Sequence, residues 1–127
     1  MATVRQVQIT FDCQDPERVG RFWCEVLGYQ PPKSDPDGWF AASDPTGVGP
    51  RLFFQKVPED KIVKNRVHLD VRVGTGLVGA ERLAALETEG ARLEALGAKR
   101  LWLQTADEEN ESCLTMADVE GNEFCLD

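Results

Sequence analysis

The chain contains one histidine, no C-x-x-C pair among its four cysteines and no basic stripe, and none of its apolar runs approaches the roughly 20 residues that a membrane-spanning helix needs. Each absence excludes something. No membrane partner is expected, and the start MATVRQVQITF lacks the basic lead and apolar core of a signal peptide, so the expected location is cytoplasmic. Cys13, Cys24, Cys113 and Cys125 have neither a zinc-ribbon spacing nor a thioredoxin-like one, and are expected as reduced thiols that pack like small hydrophobes. The formal charge of −8, from 22 acidic and 14 basic residues, opposes a phosphate backbone, so no nucleic acid is expected as a partner. With a single histidine, imidazole chemistry rests on His68 alone.

What is present describes a globular protein. The 127 residues fit one domain, and an apolar fraction of 42% with three Trp and six Phe is enough to build a core without disulfide staples. VRQVQITFD alternates, with Val7, Ile9 and Phe11 on one face and Gln6, Gln8 and Thr10 on the other, which predicts a strand. In DPERVGRFWCEVLGY, Asp15 caps, Pro16 takes the first helical position, Val19, Phe22, Trp23, Val26 and Leu27 form one apolar face, and Gly28 stops the helix. Pro31, Pro32 and the PDG at 36–38 break the chain before the strand WFAAS, and the turn DPTG leads into the strand RLFFQKV.

The charged segment PEDKIVKN reads as a surface connection, after which a second round begins. RVHLDVRV alternates, with Val67, Leu69, Val71 and Val73 on one side and His68, Asp70 and Arg72 on the other. The segment after Gly76 carries Leu83, Leu86, Leu93 and Leu96, as one helical stripe or as two short helices hinged at Gly90, and Gly97 stops it. KRLWLQT, SCLTMA and NEFCLD follow as strands, with the solvated loop DEENE after the first and the turn DVEG before the last. Both halves run strand, helix, three strands, and in both an Asp-x-x-Gly turn joins the last two strands. The expected fold is α+β: two βαβββ units forming a mixed, partly closed sheet around a cleft, with helices on the outer faces. The boundaries are unit 1 at about 4–57, a connection at 58–65 and unit 2 at about 66–127 of a single domain.

These residues resemble the vicinal oxygen chelate superfamily, which includes glyoxalase I, bleomycin-resistance proteins and extradiol dioxygenases. FDCQDPERVGRFWCEVLGY is similar to the first strand and helix of the family, RVHLDVRV to the strand opening its second unit, and ADVEGNEFCLD to its closing turn and strand. The resemblance implies a glyoxalase-like domain and a homodimer. Family members with a metal (Zn, Ni, Mn or Fe) hold it with histidines and glutamates from four strands. At those positions this chain has Gln8, Gln55, His68 and Cys125, of which only His68 matches. Two neutral amides supply no charge, so the metal set is read as incomplete, with His68 the one ligand carried over.

The expected ligand-facing residues are Gln8, Phe53, Gln55, His68, Asp70 and Cys125. Phe53 is added because it shares a phase with Gln55, and Trp39 and Trp102 are further aromatic candidates. Asp70 is the nearest partner for His68. Backbone positions two apart on a strand are roughly 6.6 Å from one another, so a direct bond requires the side chains to lean together. No nucleophile beside this pair is marked by the sequence. The function expected is the binding of a small organic molecule; the alternative is a metal-dependent lyase, isomerase or dioxygenase.

Overall fold

The structure, a computed structural model, describes residues 3, 5–35 and 38–127, without the side chains at 31–33 and 35. The expected start of unit 1 at residue 4, and Pro36 and Asp37 of the PDG break, lie outside the described residues. The chain divides into two compact units, Met1–Asp60 and Lys61–Asp127.

Unit 1 runs β1 (Ile9–Cys13), α1 (Pro16–Leu27), β2 (Gln30–Asp35), β3 (Trp39–Ser43) and β4 (Leu52–Lys56). Its sheet has the order β1-β4-β3-β2, with β1 and β4 parallel and the other neighbours antiparallel. Helix α1 begins where expected, since the Asp15 side chain accepts from the Arg18 N–H and Pro16 follows. It ends at Gly28, whose φ of 71° is the left-handed turn that only glycine adopts easily. Its apolar stripe Val19, Phe22, Trp23 and Val26 is buried. The helix lies against β3 and β4, where Phe40, Leu52 and Phe54 are fully buried, each worth roughly 1.5–3 kcal/mol of transfer free energy.

Unit 2 repeats this plan with β5 (Leu69–Val71), α2 (Gly79–Ala95), β6 (Lys99–Gln104), β7 (Cys113–Ala117) and β8 (Glu123–Leu126). Its sheet order is β5-β8-β7-β6, again with the first pair parallel. The α+β class and the two βαβββ units are therefore as expected; the strands form two four-stranded mixed sheets, one in each unit. Among the described residues no helix is long and apolar enough to cross a membrane.

Several local expectations are corrected. Pro31 and Pro32 do not break the chain; they lie in β2, an edge strand with an irregular register between Gln30 and Lys33, which is where a sheet tolerates residues that cannot donate. The first strand starts at Ile9, so Gln8 precedes it and Val7 is 67% exposed. The second unit opens with three strand residues, which leaves His68 just before β5 and Val67 exposed. Helix α2 is a single helix, and Gly90 is no hinge. It is buried, and a Cβ there would lie 2.7 Å from Leu114 Cδ2, so its role is close helix-to-sheet packing. Leu86 and Leu93 are fully buried, whereas Leu96 lies past the helix end and is exposed.

Candidate functional site

Strand alternation gives each sheet one face covered by its helix and one face that the helix does not cover. In unit 1 the second face carries Thr10 and Asp12 from β1, Phe53 and Gln55 from β4, and Trp39 from β3. Asp12 is registered with Gln55 and Gln55 with Trp39, and both Asp12 and Gln55 are exposed. Trp39 and Phe53 stack, with centroids 5.7 Å apart and planes 17° from parallel. The Arg51 guanidinium lies 5.6 Å from the Phe53 ring centre, a cation–π contact. Arg51 also donates from Nη1 to Gln8 Oε1 at 2.6 Å. Beside this pair is a groove of about 680 Å³, lined by Gln6, Gln8, Arg51 and the turn from Ser43 to Pro50. That turn is organised by Asp44, which accepts from Thr46 Oγ1 and the Thr46 and Gly49 N–H groups at 2.7–2.8 Å. Those bonds, Gly49 first and Thr46 next, hold the Asp44 carboxyl below its ordinary pKa.

In unit 2 the corresponding face brings together three of the expected residues. Asp70 is registered with Cys125 across the parallel β5–β8 pair, and Cys125 with Thr115 across β7–β8. Ligand atoms of His68, Asp70 and Cys125 all lie within 4.8 Å of one another. His68 Nε2 is 3.1 Å from Asp70 Oδ1, so the two side chains do lean together. Although outside β5, His68 follows a segment pinned to β8: Asn65 Oδ1 accepts from the Glu123 N–H at 2.9 Å, and Asn65 Nδ2 donates to the Glu123 and Val67 carbonyls. His68 and Asp70 each expose 49% of their side chain, whereas Cys125 is buried, with Thr115 Oγ1 3.4 Å from its sulfur. Trp102, registered with Thr115, is exposed on this face.

Two residues here were not singled out by sequence. Cys113 lies on the same face of β7 as Thr115; burial first, then the neighbouring Cys125 and the Asp127 and Asp70 charges, push its pKa up to about 12. Arg51 shares the phase of Phe53 and Gln55, a signal present in RLFFQKV, whereas the meeting of Cys113 with Cys125 depends on cross-strand register that no spacing reveals. None of the four cysteines is in a disulfide. Arg72 Nε lies 2.8 Å from Asp127 Oδ1, close enough for charge attraction but off the hydrogen-bonding direction.

The residues at the family's metal positions do not fit the family's metal. The Gln8 oxygen faces a guanidinium rather than an ion, and Gln55 is a neutral, exposed amide. His68 and Cys125 remain as donors, with Asp70 between them in reach.

The sequence profile of the glyoxalase-like domain matches residues 8–126. No curated protein sequence matches significantly. Among solved structures, a variant of the fosfomycin resistance protein FosX from Listeria monocytogenes, complexed with Mn(II) and 1S,2S-dihydroxypropylphosphonic acid, superposes with a TM-score of 0.73 at 12% identity, over 99% of this chain and 90% of that one. A glyoxalase/bleomycin resistance/dioxygenase family enzyme from Burkholderia phytofirmans PsJN gives 0.68 at 14% identity, over 94% of each chain. A glyoxalase-related enzyme from Fulvimarina pelagi gives 0.68 at 21% identity, over 97% of this chain and 87% of that one. At such identities the likeness shows the fold alone. The profile match spans nearly all of the sequence and the fold agrees with it: the chain belongs to the glyoxalase-like domain family of the vicinal oxygen chelate superfamily.

Proposed function

We propose that this protein binds a small organic molecule on the helix-free sheet face of unit 1, without the metal that other members of the superfamily use. The observation that carries this reading is the Arg51–Gln8 hydrogen bond at 2.6 Å, which sets a positive charge where a metal-binding member has a ligand. Arg51, with the stacked Trp39 and Phe53, offers one cation beside an aromatic surface. That pairing suits a flat ligand bearing a carboxylate or another anion, since the guanidinium can take two parallel hydrogen bonds while the rings cover apolar surface. The reading extends to a cytoplasmic homodimer, which light scattering on purified protein checks.

The test is a thermal-shift screen of aromatic and heteroaromatic acids, followed by calorimetry. A ligand at 100 times its Kd adds about 2.7 kcal/mol of stability. The expected hit raises the Tm of the wild type and loses that effect in Phe53→Ala and Arg51→Met. One equivalent of Mn(II), Fe(II) or Ni(II), lost in His68→Ala, overturns the reading in favour of a metal-dependent lyase, isomerase or dioxygenase.

A further inference from the structure

We infer that the ligand of unit 1 is an elongated aromatic zwitterion, whose ammonium group, at the end opposite its carboxylate, is met by Asp12. The inference rests on the proposed binding of an aromatic anion at Arg51 and names the class of molecule bound there. Register fixes the order of groups along the face. Arg51 and Gln8 come first, just before β4 and β1; Thr10 then pairs with Phe53, and last Asp12 pairs with Gln55 and Gln55 with Trp39. A cation therefore stands at one end of the face, Phe53 in its middle, stacked on Trp39, and a carboxylate at the other end. From Arg51 to Gln55 the strand covers roughly 13 Å, and the guanidinium leans over Phe53, so the two charges are roughly 7–13 Å apart. At that spacing Arg51 and Asp12 do not pair with each other.

The Asp12 carboxylate is exposed, and among the described residues no hydrogen bond or ion pair takes it up. The packing of β1 does not use it. Phe11 and Cys13, on the opposite face, do that work: Cys13 is buried and Phe11 packs against Trp23 and Phe54. An aromatic acid seated on Phe53 with its anion at Arg51 lays its far end against Asp12 and Gln55. A bare hydrocarbon there displaces water from the carboxylate and offers no hydrogen bond in return, which lowers affinity. An ammonium restores those hydrogen bonds with opposite charge, and the Gln55 side-chain carbonyl can accept another of its protons. Discrimination thus comes from leaving Asp12 unmet by the wrong ligand as much as from attracting the right one.

The experiment is isothermal titration calorimetry of the full-length protein with two acids of one shape, 6-(aminomethyl)-2-naphthoate and 6-ethyl-2-naphthoate. They differ only in an ammonium that replaces a methyl group at the far end. The expected result is a Kd at least fivefold lower for the aminomethyl acid, a preference that shrinks at high salt and falls to less than twofold in Asp12→Asn. That exchange keeps the side chain's shape at an exposed position, so the fold is retained. Equal affinities in the wild type, or a preference that Asp12→Asn leaves intact, overturn the role of Asp12 while the binding of an acid at Arg51 stands. If neither acid binds, the reading of unit 1 and this extension of it fall together.

Discussion

Replacing Gly20 by Ala tests the packing that positions unit 1's candidate site. A methyl group at Gly20 would lie 2.7 Å from Phe40 Cε1, 2.8 Å from Phe40 Cγ, and closer still to Cδ1. Carbon atoms pack at about 3.5–4.0 Å, so the ring or the helix must retreat by about 1 Å or more. Phe40 is fully buried and its neighbours Ala41 and Ala42 are as well, so there is no slack to absorb the movement. Overpacking of this kind costs about 1–3 kcal/mol, and the better helix propensity of Ala returns about 1 kcal/mol. The clash reaches three ring atoms, which places the strain at the upper end and leaves a net destabilisation of roughly 1–2 kcal/mol. For a chain of this size that is a Tm lower by about 4–8 °C. Thermal unfolding followed by circular dichroism measures it, and near-UV dichroism reports whether Trp39, adjacent to Phe40 on β3, has shifted against Phe53. In Gly20→Ala/Phe40→Leu the smaller side chain relieves the clash, so the double variant should be more stable than the sum of the single effects by about 1 kcal/mol. A Gly20→Ala protein as stable as the wild type or more so would show that helix propensity outweighs packing at this contact and refute the reasoning.

Gly90→Ala should do much less harm, within about 1 kcal/mol of the wild type, because the atom it meets is the tip of the Leu114 side chain rather than a rigid ring. Asp118 is 4% exposed and accepts from the Glu120 and Asn122 N–H groups at 2.9 Å, so Asp118→Ala should lower stability by roughly 2–4 kcal/mol in urea unfolding. Asp44 carries the same turn in unit 1, and its pKa is lowered. The stability it contributes is complete above the ordinary aspartate value of about 3.9 and is lost as pH falls through the lowered folded value, so the gap between wild type and Asp44→Ala should narrow below about pH 4. Cys113, pushed up to about 12, behaves in the opposite sense: the unfolded thiol ionises from about pH 8.5, so stability is lost between there and pH 12, and less of it in Cys113→Ala. At pH 8 Cys113 should alkylate on the order of 50–100-fold more slowly than an unhindered thiol, since the smaller thiolate fraction is only partly offset by greater nucleophilicity. Peptide mass spectrometry checks this, and labelling at the rate of a small thiol would count against the raised Cys113 pKa.

Most of the fold could be read from the chain because the signals were local. Asp15, Pro16 and Gly28 bracket α1 through caps that need only neighbouring residues, and the period of its apolar positions is that of the helix face that became buried. The doubled order of elements and the two Asp-x-x-Gly turns disclosed the repeat. Local signals failed where the environment decides. Pro31 and Pro32 look like breakers, yet an edge strand accepts them because their missing N–H groups are not needed by a neighbour. Gly90 looks like a hinge, yet it is a contact point, since only the sheet beneath shows that a side chain there would strike Leu114.

The candidate site divides in the same way. Sequence alone determined which faces carry which residues, because alternation is a property of the extended backbone: His68 with Asp70, and Phe53 with Gln55. Only the tertiary structure decided who meets whom across strands. Register set Asp70 and Thr115 beside Cys125, and put Arg51 against Gln8, 43 residues earlier in the chain. A strand's face follows from its own residues; its partners follow from hydrogen-bonded pairing between segments distant in sequence, and a shift of one position would have sent each of these groups to the opposite side.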